Sequence, residues 1–353
     1  MKSKTKFIFL SIKRNILPMI FCLFIFFLVI FSKSNLVASK SGLLLWANNI
    51  VPSLLPFFIA TELLSYTNVI TKLGKILNPI MKPVFNVPGV GSYALIMGII
   101  SGYPTGAKIV VDLNKNGLCS NEESERLLAF TNNSGPLFIL GTVGISLFGN
   151  TQIGFLLLIT HILSCISVGI VFRFWKINSN SHYNINKYNY SNIKTDNICF
   201  SNLGDILSKS IISSVKTIVM IGGFVVLFSV ILSILKNSNF LILLGKFLFP
   251  IFNFLGIKDF EFTTSFISGC FELTNGLLQL INIPSKLIST NIVLSSFLLG
   301  FGGISVLLQV NSIIAKSRIS IKPYIYGKLL HGLFAAFYTL IFIYSFPIFN
   351  LNL

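Results

Sequence analysis

Long apolar runs dominate the chain, and short polar stretches separate them. A first run at 16–31 is followed in the first half by apolar segments at 42–66, 91–111, 125–149 and 152–176. The second half has apolar segments at 207–235, 238–256, 261–283, 288–314 and 323–348. A helix needs about 20 apolar residues to cross a bilayer. The pattern therefore predicts an all-α polytopic membrane protein with about eight to ten membrane segments.

A polar stretch divides the chain near its middle. Residues 177–203 are dominated by Asn, Ser, Tyr and Lys and have no apolar face. Such a composition is typical of a solvated linker. We therefore predict a basic N-terminus with a membrane anchor at 1–41, a first repeat at 42–176, the linker at 177–203 and a second repeat at 204–353.

Three short motifs occur in both halves and in the same order. LGKxLxPI begins at Leu73 and Leu244, ISG at Ile100 and Ile267, and LGxxGIS at Leu140 and Leu299. The offsets are 244 − 73 = 171, 267 − 100 = 167 and 299 − 140 = 159. We interpret the matches as an old duplication with loop deletions; the alternative is coincidence in a chain rich in Ile, Leu and Gly. Duplicated halves are typical of secondary transporters, whose sites form where the repeats meet.

Polar, glycine-rich runs interrupt the apolar segments of both halves. They are SGYPTG at 101–106, TNNSGP at 131–136, SGCFELTNG at 268–276 and GFGG at 300–303. Lipid cannot satisfy the backbone groups that such breaks free, so these runs must be buried in protein or line a wet cavity. The predicted structural breaks are Gly102, Pro104, Gly106, Gly135, Pro136, Gly269, Gly276, Gly302 and Gly303.

The breaks also supply the candidate binding residues. Half-helix ends and neutral amides suit a small polar solute or ion. Glu272 is the strongest candidate, because a carboxylate inside an apolar segment usually faces a cavity or relays ions; the alternative is a structural hydrogen bond to broken backbone. Lys108 could snorkel to the surface. For Glu62, a functional role and a structural hydrogen bond both remain open. The predicted substrate-binding residues are Ser101, Tyr103, Thr105, Asn132, Asn133, Ser134, Glu272, Thr274 and Asn275.

Composition supports a membrane environment. The chain is 53% hydrophobic and 10% charged. Soluble domains, by contrast, have about 25% charged residues. The net charge is +17, but Lys and Arg lie mostly between apolar segments. Anionic lipid headgroups are therefore favoured as partners over nucleic acid. The basic cluster at 1–14 predicts a cytoplasmic N-terminus, followed by an uncleaved anchor rather than a signal peptide.

Few residues suggest other chemistry. The five cysteines lie far apart and form no C-x-x-C pair, and for His161 and Cys165 packing is favoured over a metal site. Ser120 and Glu123 predict a capping box at a helix start. Because no phosphate loop, nucleophile elbow or metalloprotease helix is present, we expect no catalytic residues, no cofactor and no metal, and we do not expect an enzyme.

The runs SGYPTGAKIVVDL at 101–113 and ERLLAFTNNSGPLFILGTVG at 125–144 resemble the YlbJ-type sporulation integral membrane proteins. SGCFELTNG at 268–276 is similar to that family's matching motif. The family is similar to gate, or nucleoside-recognition, domains of concentrative nucleoside transporters and ferrous-iron transport proteins. The resemblance implies two gate-like repeats in inverted orientation, and a role in spore cortex formation in a forespore or mother-cell membrane.

Two functions remain open from the sequence. The leading hypothesis is a permease-like protein of the cell membrane with a polar site at the repeat interface. The alternative is a non-transporting scaffold that recruits other sporulation membrane proteins for cortex assembly. A scaffold has no need for Glu272 and the Asn132–Asn133 pair to face a cavity, so the lining of that interface distinguishes the two.

Overall fold

The computed structural model describes residues 2–176, 201–284, 288–315 and 317–345, and the regular elements of these ranges are helices. The first half contains α1 (Lys2–Ile30), α2 (Ser32–Leu45), α3 (Val51–Ser65), α4 (Val69–Phe85), α5 (Gly91–Ser101), α6 (Thr105–Lys115), α7 (Asn121–Thr131) and α8 (Thr151–Phe172). Two π-helical stretches accompany them, π1 (Trp46–Ile50) and π2 (Phe138–Leu147). The second half contains α9 (Leu203–Asn237), α10 (Phe240–Phe254), α11 (Phe260–Phe271), α12 (Leu273–Ile281), α13 (Ile288–Phe301), α14 (Gly303–Ile314) and α15 (Lys322–Ser345).

The described helices confirm the predicted all-α, multi-pass membrane protein. Five stretches of the described chain are long and apolar enough to cross a bilayer, namely Ser32–Ser65, Thr151–Phe172, Leu203–Asn237, Ser289–Ile314 and Lys322–Ser345. Shorter apolar helices lie at Asn15–Ile30, Gly91–Ser101, Phe138–Leu147 and Phe240–Phe254. The predicted segments at 91–111 and 261–283 each contain two packed helices, α5 with α6 and α11 with α12, rather than one continuous span.

Glycines let these hairpins close tightly. A Cβ atom on Gly276 of α12 would overlap the backbone of Gly269 in α11. In the first half, a Cβ atom on Gly106 would overlap the carbonyl oxygen of Thr131, the last residue of α7. The α11–α12 hairpin and the contact of α6 with the end of α7 therefore depend on residues without side chains where backbone meets backbone.

The same order of elements occurs twice. The ends of α5 and α11 have an offset of 271 − 101 = 170, and the ends of α7 and α13 have an offset of 301 − 131 = 170. LGKxLxPI begins at the fifth residue of both α4 and α10. The contacts between the halves are reciprocal as well: α14 packs on α6 as π2 packs on α12, and α15 packs on α7 as α8 packs on α13.

Two of the three motif matches do not occupy equivalent places in this order. Ser101 is the last residue of α5, whereas Ser268 lies three residues before the end of α11. LGTVGIS lies inside π2, but LGFGGIS spans the boundary between α13 and α14. The old duplication with loop deletions therefore stays a prediction.

The capping box is confirmed, since the Ser120 side chain accepts from the Glu123 N–H and the Glu123 side chain accepts from the Ser120 N–H. The predicted linker at 177–203 lies almost entirely outside the described residues, which resume at 201. The second half begins with α9 at Leu203.

Candidate functional site

Four interruptions of the helices meet near the centre of the protein. Break 1 (residues 102–104) separates α5 from α6, break 2 (132–135) separates α7 from the helical segment that contains π2, break 3 (272) separates α11 from α12, and break 4 (302) separates α13 from α14. A Cβ atom on Gly102 would lie 2.8 Å from the Gly135 nitrogen, so breaks 1 and 2 are in contact. A Cβ atom on Gly303 would lie 3.1 Å from the Gly269 oxygen, next to break 3.

A central cavity of about 30 Å³ joins the breaks of the two halves. Break 1 contributes Gly102 and Tyr103, break 2 contributes Gly135, and Glu272 and Thr274 come from the second half. Further walls are formed by Ile50, Leu54, Phe138, Ile221, Val225, Leu273, Ser305, Val306 and Gln309. This volume holds about one or two water molecules, so the centre is closed in this conformation.

Glu272 caps a helix and lines the central cavity at the same time. Its Oε1 accepts the Thr274 N–H at 3.1 Å, and its Oε2 accepts the Asn275 N–H at 2.8 Å, both in the first turn of α12. The side chain is 4% exposed. The positive end of the α12 dipole stabilises a carboxylate here. None of the described hydrogen bonds of Glu272 reaches Ser101, Thr105 or the Asn132–Asn133 pair.

The two asparagines of break 2 are fully buried and bind protein groups. Asn132 accepts the Ala107 N–H at 3.4 Å and donates to the Tyr324 hydroxyl at 2.8 Å, which connects the two halves. Asn133 donates to the Phe130 carbonyl at 2.9 Å. Neither is among the residues that line the central cavity. In this conformation both asparagine side chains form hydrogen bonds with backbone and side-chain groups around the end of α7.

The other predicted residues lie on both sides of the centre. Ser101 hydrogen-bonds the Thr61 hydroxyl. Ser134 donates its N–H to Nε2 of His161 at 3.2 Å, and its hydroxyl donates to the Leu299 carbonyl at 3.2 Å. Asn275 donates to the Ser229 hydroxyl at 3.0 Å. The structure therefore brings Tyr103, Glu272 and Thr274 to one cavity and distributes the remaining residues around it.

A first vestibule of about 300 Å³ opens on one side of the centre, where Pro104 and Thr105 of the first half line it together with α3 and α9. The ammonium group of Lys108 forms an ion pair with Glu62 and donates to the Ser213 hydroxyl at 2.9 Å. Ser213 in turn donates to Glu62 at 3.0 Å. The sequence interpretation missed this triad, because Lys108 and Glu62 are 46 residues apart and Ser213 lies in the other half.

A second vestibule of about 950 Å³ lies beyond the centre, among α2, α9, α11 and α12. Most of its lining is polar: Lys33, Ser34, Ser41, Ser229, Ser233, Lys236, Asn237, Glu261, Thr264, Ser265, Ser268, Asn275, Gln279 and Asn282. Polar side chains at this density in a membrane protein indicate contact with water.

The three spaces follow one face of α9 in order. Ser213 and Thr217 line the first vestibule, Ile221 and Val225 the central cavity, and Ser229 and Ser233 the second vestibule. These positions are four residues apart and so share a helix face. At about 1.5 Å per residue, the stripe from 213 to 233 spans about 30 Å, the thickness of the bilayer's hydrocarbon core.

The described residues contain no group of three or more His, Cys, Asp or Glu side chains placed to hold a metal ion. Beside break 2, however, lies a buried cluster of Lys328, His331 and His161. The sequence interpretation assigned His161 to packing and did not consider Lys328 or His331.

Comparison with known proteins gives two similarities. Residues 47–174 match the family model described as "Gate: Nucleoside recognition". Over 321 residues the chain is 36% identical to the sporulation integral membrane protein YlbJ of Bacillus subtilis (strain 168), covering 88% of this chain and 78% of that protein. No solved structure matches.

Proposed function

Because the chain belongs to the family of the sporulation integral membrane protein YlbJ, we propose that it is a permease-like protein of sporulation. It moves a small polar solute or ion along the inner face of α9. The observation that carries this proposal is the series of spaces along that face, in which two polar vestibules are separated by a closed centre.

The chemistry of the lining supports transport over a scaffold. A scaffold needs an outer surface for its partners and gains nothing from polar vestibules inside the protein. A permease needs water-filled space on each side of a barrier, and the site must open to one side while it is closed to the other. The barrier is the closed centre, which is thin and apolar at Ile50, Leu54, Ile221 and Val225. The Glu272 carboxylate lies beside these side chains.

The packing of the two halves supports an alternating-access mechanism. The α2–α3 stretch runs antiparallel to α9, because Gly42 approaches Ser229 while Glu62 contacts Ser213. The hairpin of α5 and α6 borders the first vestibule, and the hairpin of α11 and α12 borders the second. We infer inverted repeats that rock about the central cavity, opening one vestibule while the other closes.

The family also suggests the biological setting. We propose that the protein acts in spore cortex formation, in the forespore or mother-cell membrane, with its N-terminus in the cytoplasm. Lipids surround it, and the solute is an unidentified small polar molecule or ion.

Filling the central cavity tests the path. Val225→Phe adds a ring beside the cavity at a side chain that is 2% exposed, whereas Val219→Phe adds the same ring on the exposed face of α9, at a side chain that is 55% exposed. Both variants are expressed in a Bacillus subtilis strain that lacks YlbJ, in which we expect the unmodified chain to restore heat-resistant spores.

We expect Val225→Phe to lower heat-resistant spore counts at least tenfold and Val219→Phe to match the unmodified chain. Membrane content and monodispersity in detergent show whether each variant is folded, and Val225→Leu gives a milder filling if the Phe variant is not. If a folded protein with a filled cavity gave normal counts of heat-resistant spores, this result would contradict the proposed path along α9 and favour the scaffold hypothesis.

A further inference from the structure

The two vestibules are lined by matching sets of charged side chains. Each described lining contains one carboxylate and two ammonium groups, and its remaining side chains are uncharged. The charged residues are Glu62, Lys108 and Lys216 in the first vestibule, and Glu261, Lys33 and Lys236 in the second. The two ends of the proposed path therefore carry the same charges.

In the first vestibule the opposite charges are paired. Lys108 of α6 forms an ion pair with Glu62 of α3, and their side chains are 35% and 22% exposed. Ser213 of α9 accepts from Lys108 at 2.9 Å and donates to Glu62 at 3.0 Å. The triad thus connects the hairpin of α5 and α6 to both α3 and α9.

In the second vestibule the charges are separate. Glu261 lies at the start of α11, Lys33 at the start of α2 and Lys236 near the end of α9, and all three are exposed. Within the described ranges, no ion pair includes any of them. This vestibule has a volume of about 950 Å³, against about 300 Å³ for the first. The narrow vestibule contains the ion pair, and the wide one does not.

This difference is what rocking about the central cavity predicts for charges on facing walls. When the walls of one vestibule approach each other, those of the other separate. Opposite charges that come within about 4 Å attract, and the attraction is stronger near protein than in bulk water. Each set of charges can therefore pair only while its own vestibule is narrow.

We propose that the two sets are opposing ion-pair latches that set the balance between the two conformations. The first latch, Glu62 with Lys108, holds the first vestibule narrow. The second latch forms when the second vestibule narrows, and it pairs Glu261 with Lys33 or Lys236. Because each pair exists in one conformation only, each stabilises that conformation alone.

Each hairpin supplies one charge to its latch. Lys108 comes from the hairpin of α5 and α6, and Glu261 comes from the hairpin of α11 and α12. The partners come from the α2–α3 stretch and α9, which line both vestibules. This inference deepens the proposed function and rests on it, because it names the contacts that hold each side of the path closed.

The rate of cysteine labelling measures the balance. Thr217→Cys reports on the first vestibule and Ser233→Cys on the second, each in a full-length chain whose own five cysteines are replaced. Sealed vesicles are treated with a membrane-impermeant maleimide from either side. The variants Glu62→Gln and Lys108→Met each remove one charge of the first latch at nearly unchanged side-chain length.

We expect both variants to label Thr217→Cys about two- to fivefold faster and Ser233→Cys slower by a similar factor, as a partly exposed ion pair has a modest effect. The exchanged pair Glu62→Lys with Lys108→Glu should return both rates towards those of the unmodified latch. Lys209→Met is the control and should change neither rate, since its ion pair with Asp205 lies within α9 and both side chains are more than half exposed.

Glu261→Gln tests the second latch and should act in the opposite direction. It removes a pair that forms only when the second vestibule is narrow, so Ser233→Cys should react faster and Thr217→Cys slower. A change in the same direction as in Glu62→Gln would overturn the proposal that the latches oppose each other.

Two results for the first latch would also overturn the proposal. One is unchanged rates in both Glu62→Gln and Lys108→Met, with each protein monodisperse in detergent. The other is faster labelling of Thr217→Cys without slower labelling of Ser233→Cys, which would show local loosening only. If the two cysteines still react from opposite sides, the permease proposal stands without the latches. If they react from the same side, the path along α9 fails as well.

Discussion

At the scale of single residues, the Glu272 carboxylate accepts two backbone N–H groups of α12 while it borders the central cavity. The sequence indicated an unusual acid in an apolar segment, and the structure combines the two roles that were considered for it. Lys108, Lys328 and His331 could not be placed from the sequence, because their partners depend on which helices pack together.

Glu272→Gln should destabilise the protein, because one backbone N–H would then face an amide donor in place of a carboxylate oxygen. We expect a loss of roughly 1–3 kcal/mol, measured as a lower Tm in detergent, together with fewer heat-resistant spores. Asp259→Asn is the matched control, since Asp259 caps α11 through an exposed hydrogen bond and Asn is an equally good cap. An equal Tm for both variants would show that burial at break 3 adds nothing.

At the scale of elements, glycine and proline predicted where helices stop, and the four breaks lie where those residues cluster. Whether a broken segment folds back or continues was not predictable, because it depends on glycine contacts with other helices. The stripe from Ser213 to Ser233, polar at both ends and apolar in the middle, was readable in the sequence at a spacing of four. It was missed because α9 is apolar overall.

The hairpin contacts give a prediction at this scale. Gly276→Ala places a methyl group where it overlaps the backbone of Gly269, so α11 and α12 must separate. We expect destabilisation of about 1–3 kcal/mol or more, seen as a lower Tm or loss from the membrane. Gly223→Ala in α9 is the control, because no neighbouring atom lies within 4 Å of its added Cβ. A Gly276→Ala protein as stable as this control would refute the close backbone contact.

At the scale of the whole molecule, the equal order of elements and the reciprocal contacts suggest two halves around the central cavity. The duplication was inferred from all three motif pairs, and of these LGKxLxPI occupies the same place in both halves. The equal offset of 170 for two pairs of helix ends became visible only when the helix bounds were known. The vestibules could not be inferred from the sequence at all, since each is lined by three or more helices.

Accessibility from the two sides of the membrane tests the central claim most directly. Single cysteines replace Ser213, Ser233 or Val219 in a chain whose own five cysteines are removed, and sealed vesicles are treated with a membrane-impermeant maleimide from either side. We expect Ser213→Cys to react from one side only, Ser233→Cys from the opposite side only, and the exposed, lipid-facing Val219→Cys from neither. Reaction of both vestibule cysteines from the same side would contradict a path that crosses the membrane along α9.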